Sequence, residues 1–171
     1  MTIAEILLLD YDNEIANTRL TLERVPEDQP EWAPHEKSMK LGKLAMHCAT
    51  ITLFGYYIIE DDSMDMANSK RPHVDLTFTT KAAALAALDE AAPQCRAAIA
   101  AASDEHLLKL WKFSFGEHLI MHESRAASFR KLCFDHMIHH TSQLGVYLRL
   151  LDIPVPALYG PSADEQWAPS K

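Results

Sequence analysis

The chain has 171 residues, with 24 acidic against 16 basic side chains (formal net charge −8), 48% apolar and 23% charged residues. This length fits one globular domain over residues 1–171, large enough to bury a core without disulfide support. The acidic balance argues against a nucleic-acid partner, because phosphate binding is carried by Lys and Arg.

Residues 6–9 form an apolar run closed by Asp10 and Asp12, too short and too acidic in its surroundings for a secretory signal. No window approaches the roughly 20 apolar residues of a membrane span. Three cysteines without paired spacing point to a reducing compartment, so the expectation is a cytoplasmic protein with no membrane contact.

In the first helical segment Leu8, Tyr11, Ile15, Thr18, Leu22 and Val25 recur at steps of three and four, which is one face of a helix. A second stripe, Leu9, Ala16 and Leu20, either widens the core face or meets a partner subunit. Pro26, Pro30 and Pro34 then impose a stiff linker. The second segment starts after Ser38, a candidate N-cap, and carries Leu44, His47, Ile51, Phe54 and Ile58 on one stripe up to the acidic cluster at Glu60, Asp61 and Asp62. The stretch 63–78 has no period and reads as a long crossover loop.

A third helix is expected over about 80–102, where twelve of residues 81–102 are alanine and Leu85, Leu88, Cys95 and Ile99 give the stripe; Pro93 should kink it. Trp111, Phe113 and Phe115 alternate at a strand period, a run suited to an extended connector or small hairpin. The fourth helix starts between Glu117 and Ser124 and continues to about Asp152, where Ile153-Pro154-Val155-Pro156 ends it and a tail over about 153–171 follows. Four helices and little else predict an all-α four-helix bundle.

Nine histidines are unusual for this length, and three of them cluster as His136-Met137-Ile138-His139-His140. His136 and His140, four apart, share a helix face with Phe129, Cys133, Leu144, Tyr147 and Leu151, which reads as the buried face. His139 lies about 100° away. A buried neutral imidazole pair needs partners for its ring nitrogens, and a divalent metal supplies one good solution. His47, central in the stripe of the second helix, is the best candidate for a third ligand. Ordinary core histidines bonded to carbonyls are the alternative.

Other motifs are absent. His122-Glu123 and His35-Glu36 do not complete HExxH, no Glu stands three residues before a His, and the five glycines form no phosphate-binding loop. Cys133 is a weaker ligand candidate than a packed thiol.

Taken together, these residues resemble the DinB-like (DinB/YfiT) family of small metal-binding bundles. The segment Ser38-Met39-Lys40-Leu41-Gly42-Lys43-Leu44-Ala45-Met46-His47 is similar to that family's second helix ending in its first ligand. His136-Met137-Ile138-His139-His140-Thr141-Ser142-Gln143 is similar to its H-x-x-x-H-R-G-Q, with Thr141-Ser142 in place of Arg-Gly. Leu148-Arg149-Leu150-Leu151-Asp152-Ile153-Pro154 and Tyr159-Gly160-Pro161-Ser162 continue the match.

The resemblance implies an up-down-down-up bundle and a metal site of His47, His136 and His140 for Zn or Ni. It also implies a homodimer, and transfer chemistry with a low-molecular-weight thiol on a small-molecule substrate. An open three-histidine site would acidify a bound thiol or water, with His139, Gln143 and Tyr147 as nearby candidates for supporting roles. A non-catalytic, metal-stabilised dimeric module, closed by a fourth ligand such as Cys133, is the competing reading.

Overall fold

The computed structural model describes residues 1–166; of the tail expected over 153–171, residues 167–171 lie outside the described residues. Helix α1 (Ile3–Leu22) begins with a capping box: Thr2 Oγ1 accepts from the Glu5 N–H at 3.1 Å, and the Thr2 N–H donates to Glu5 Oε2 at 2.7 Å. Its buried face is Ala4, Leu7, Tyr11, Glu14, Thr18, Thr21 and Leu22. Leu9 and Leu20 of the second stripe are 66% and 40% exposed, so that stripe does not widen the core.

The proline-rich linker supplies the start of α2 (Leu41–Glu60). Ser38 is not the cap; instead the Leu41 and Gly42 N–H groups donate to the carbonyls of Trp32 and Pro30 at 2.8 and 2.9 Å. Backbone acceptors thus satisfy donors that the helix leaves unpaired. A β-carbon on Gly42 would stand 2.7 Å from Phe78 Cβ, so this close approach of linker and crossover requires glycine.

Helix α3 (Lys81–Ala101), capped by Thr80, is continuous through Pro93. It runs antiparallel to α1, with Arg96 bidentate to Asp12 at 2.8 Å and Arg19 paired to Asp89. The Tyr11 hydroxyl donates to the Ala92 carbonyl at 2.9 Å in the same interface. A short helix α4 (Asp104–Leu108) follows, its Asp104 accepting from the Ile3 N–H at 2.8 Å.

The last long helical stretch is composite: α5 (Arg125–Phe129), a π-helical turn (Arg130–Asp135) and α6 (His136–Leu150). α1 and α2 each pack against both α3 and α6. α6 lies parallel to α1, with Thr18 and Thr141 hydroxyls 3.1 Å apart, and antiparallel to α2, where Tyr147 donates to the Met39 carbonyl at 3.2 Å.

The all-α four-helix-bundle expectation is corrected by a three-stranded mixed sheet. β1 (Ser63–Asp65) pairs parallel to β2 (Leu110–Phe115), and β2 pairs antiparallel to β3 (His118–Ser124). Six residues of strand period are too few to stand alone, but β2 is the central strand and gains ladders on both sides. Its Trp111 and Phe113 turn inward onto Phe54, with ring centroids 6.4 and 5.4 Å from it.

Gly116, at φ +58°, opens the two-residue turn between β2 and β3. β3 occupies residues where the sequence reading started the fourth helix. Its side chains are mostly exposed, so burial leaves little alternation in the sequence, and the pairing to β2 decides its conformation. The crossover is likewise not all loop: β1 and a 3₁₀ turn (Met66–Asn68) lie within it.

The C-terminus of α2 ends on a buried cation. Arg125, 3% exposed, donates through Nη1 to the carbonyls of Ile58 (2.6 Å), Ile59 (3.3 Å) and Asp61 (2.5 Å), and His106 Nε2 reaches the Ile59 carbonyl at 2.8 Å. These carbonyls are the acceptors a helix end leaves unpaired, where its dipole favours positive charge. Replacing Arg125 by Met keeps much of the packing volume but strands the buried carbonyls. The expected loss is about 3 kcal/mol in urea unfolding; a change below about 1 kcal/mol would refute this role for the cap.

Candidate metal centre

Helix α2 contributes His47 and α6 contributes His136 and His140; all three are half-buried. One ring nitrogen from each lies within 4.8 Å of the other two. His47 Nε2 and His136 Nε2 are 3.3 Å apart, and the ring centroids are 5.0 Å (His47–His136), 4.5 Å (His47–His140) and 4.6 Å (His136–His140) apart. No other Cys, Asp or Glu among the described residues joins the group. Three imidazole lone pairs at this separation form a donor set that can hold one divalent ion.

The π-helical turn sets this geometry. It adds a residue to the helix just before His136. Cys133 and Phe134, adjacent in sequence, are both buried, and beyond them the buried residues of α6 are Met137, Thr141, Leu144, Tyr147 and Leu148. His136 and His140 share the expected stripe with the buried Phe129, Cys133, Leu144 and Tyr147, but they are only half-buried, at the margin of the core face rather than at the centre where uninterrupted 3.6-residue phasing places them. Both are turned to α2, and His136 lines a cleft there.

Each imidazole is kept neutral mainly by burial. Burial first, then the neighbouring His140 and His136 and the Lys43 ammonium, pull His47 down to about 4. His136 and His140 also titrate below the usual histidine range, again chiefly through burial. The Leu132 carbonyl, bonded to the His136 ring, and the Gln143 amide, bonded to His140, act the other way. His140 Nδ1 donates to Gln143 Oε1 over 2.7 Å, which fixes the tautomer that leaves Nε2 with a free lone pair.

The other sequence candidates separate here. Cys133 is fully buried under Gly55, where a β-carbon would stand 2.7 Å from its Sγ and 3.0 Å from that of Cys95; it does not belong to the histidine group. Tyr147 is engaged with the Met39 carbonyl and stacks edge-on to Trp32. His139 is exposed, its ring 4.8 Å from that of His140.

Sequence reasoning missed the cleft itself. A cavity of about 610 Å³ opens beside His47 and His136, walled by α2, β2 and the crossover. Apolar residues at alternate crossover positions, Val74, Leu76 and Phe78, were the available signal.

The depressed titration has a signed consequence. A histidine whose folded pKa lies below its unfolded value of about 6.5 stabilises the fold least when protonated. The metal-free protein is thus at full stability above pH 6.5 and loses it as pH falls toward 4. NMR titration of the imidazole Cε1–H signals should give His47 a midpoint near 4, with His136 and His140 below 6.5. A His47 midpoint at or above 6.5 would contradict the buried neutral cluster.

A family model described as the DinB superfamily matches residues 10–144. Among solved structures, a DinB-like protein from Bacillus subtilis is similar at a TM-score of 0.66 and 19% identity, covering 93% of this chain and 97% of that one. A DinB-like protein from Bacillus cereus ATCC 10987 is similar at a TM-score of 0.63 and 17% identity, covering 89% and 95%. No curated protein matches. With the family model spanning most of the sequence, and two DinB-like proteins similar in overall fold, the chain belongs to the DinB superfamily.

Proposed function

We propose that His47, His136 and His140 bind a divalent metal ion, Zn or Ni, at an open site that acts on a small electrophilic molecule. The reaction is either transfer to it of a low-molecular-weight thiol or its hydrolysis. The observation that carries this reading is the convergence of three neutral imidazole nitrogens within 4.8 Å at the edge of a cleft large enough for a substrate. An ion held by three uncharged ligands keeps its full positive charge and supplies acidification of a bound thiol or water toward neutral pH.

The chain's own residues do the rest. Gln143 orients the His140 ring through Nδ1 and keeps Nε2 available. Apolar walls formed by Ile51, Phe54 and Leu132 limit water at the reacting end. The family resemblance favours thiol transfer over hydrolysis. The closed, non-catalytic alternative draws little support here, because Cys133, its candidate fourth ligand, packs into the core.

Metal analysis of protein purified without a histidine tag tests the site. About one equivalent of Zn or Ni per chain is expected, abolished by His136→Ala and retained by His139→Ala; retention in the first and loss in the second would reverse the assignment. Gln143→Ala should weaken metal binding about 10- to 100-fold. With metal bound, consumption of a generic electrophile should require added thiol and vanish in His47→Ala. Turnover that is independent of both metal and thiol would sink the transfer reading.

A further inference from the structure

The cleft beside the histidines has a definite chemical character. Its walls are mainly apolar: Ile51 and Phe54 from α2, Met64 from β1, Val74 and Leu76 from the crossover, and Phe113 from β2. Phe54 packs edge-on to Phe113 and Trp111, a rigid aromatic floor. Met64 and Met66 face it with flexible thioethers that adapt to different shapes. Its volume of about 610 Å³ lies within the range of small-molecule sites.

Its charge is settled by one ion pair. Among the described residues of the lining, Arg71 is the only lysine or arginine, and there is no carboxylate. Arg71 is already spent: Nε and Nη2 donate to Asp61 Oδ2 and Oδ1 at 2.9 and 2.5 Å, and the guanidinium lies 4.6 Å from the centre of the Tyr57 ring and 5.5 Å from that of Tyr56. An anion entering the cleft would have to break a bidentate pair and a cation–π contact to gain a partner. A cation would meet no counter-charge there. The same pair ties the crossover to the end of α2 and so holds the wall of the cleft in place.

We infer that the cleft binds an uncharged, predominantly apolar small molecule, an alkyl or aryl group whose polar end reaches His47 and His136. Only the fate of that polar end rests on the metal reading above; selection of a neutral apolar body rests on the cleft alone. Arg71 acts here as a positioning residue.

The test uses the full chain dialysed against EDTA and a neutral fluorescent probe, Nile red, displaced by n-alkanols and by n-alkanoates of equal length. Alkanols from hexanol to decanol should displace the probe with affinity rising about fourfold per methylene, and each alkanoate should bind at least tenfold more weakly than its alkanol. Leu53→Trp, which fills the cleft, and Val74→Asp, which places a carboxylate in its wall, should each reduce probe affinity tenfold or more, whereas Leu150→Ala on the exposed side of α6 should not change it.

Alkanoates binding as tightly as alkanols, or probe affinity unchanged in both cleft variants, would overturn the inference. Arg71→Gln, which removes the only guanidinium of the described lining and leaves the Asp61 carboxylate unpaired, should widen the preference for alkanols over alkanoates, while a merely structural role would lower all affinities together. Because no metal is present, a protein that binds Zn but not alkanols refutes this inference alone, and one that binds alkanols but no metal refutes only the metal reading.

Discussion

The contact of α2 with α3 and α6 at Gly55 is the constraint on which the site depends. Without a side chain at 55, the sulfur atoms of Cys95 and Cys133 and the Phe129 ring close directly onto the α2 backbone. The close approach fixes the register of two antiparallel helices. Eight residues along α2, about 12 Å at helical rise, His47 then meets the portion of α6 that carries His136 and His140. A β-carbon at 55 would separate these helices, and the imidazole nitrogens would no longer share a space the size of one ion.

The sheet and the buried arginine complete the site from outside the helices. Arg125 stands where β3 gives way to α5 and binds the last carbonyls of α2, so hairpin and helix are held together at one point. Asp65 in β1 accepts from the Gly116 N–H at 2.8 Å and ties the crossover to the hairpin turn. The result is a cleft with one helical wall and two walls built from segments that lack helical period. The negative net charge is carried by the surface. At the cleft, in contrast, the described lining holds no carboxylate and its single guanidinium is paired, in keeping with the small-molecule chemistry proposed above.

The sequence was informative where structure is local. Helical periodicity located α1, α2, α3 and the body of α6, and the four-residue spacing of His136 and His140 is enough to place both rings on one side of any helix. His47 stood out as a polar residue in an apolar stripe. The sequence misled where non-local pairing competes with local pattern: β3 has a short apolar run and no clear alternation, so only its ladder to β2 distinguishes it from the first turn of a helix.

By itself, then, the sequence determined where the long helices run, the spacing of the histidine pair and the family likeness, because each depends on residues a few positions apart. The tertiary structure decided what those histidines face. The π-helical turn rotated them to the margin of the core face by inserting one residue into the helical count, a shift that no local preference announces. The approach at Gly55 brought His47 across, and the Arg71–Asp61 pair closed the crossover into a wall. Each of these joins segments that are distant in the chain or changes the phase between near ones. Such terms are set by packing of the whole molecule and leave no periodic trace in the sequence.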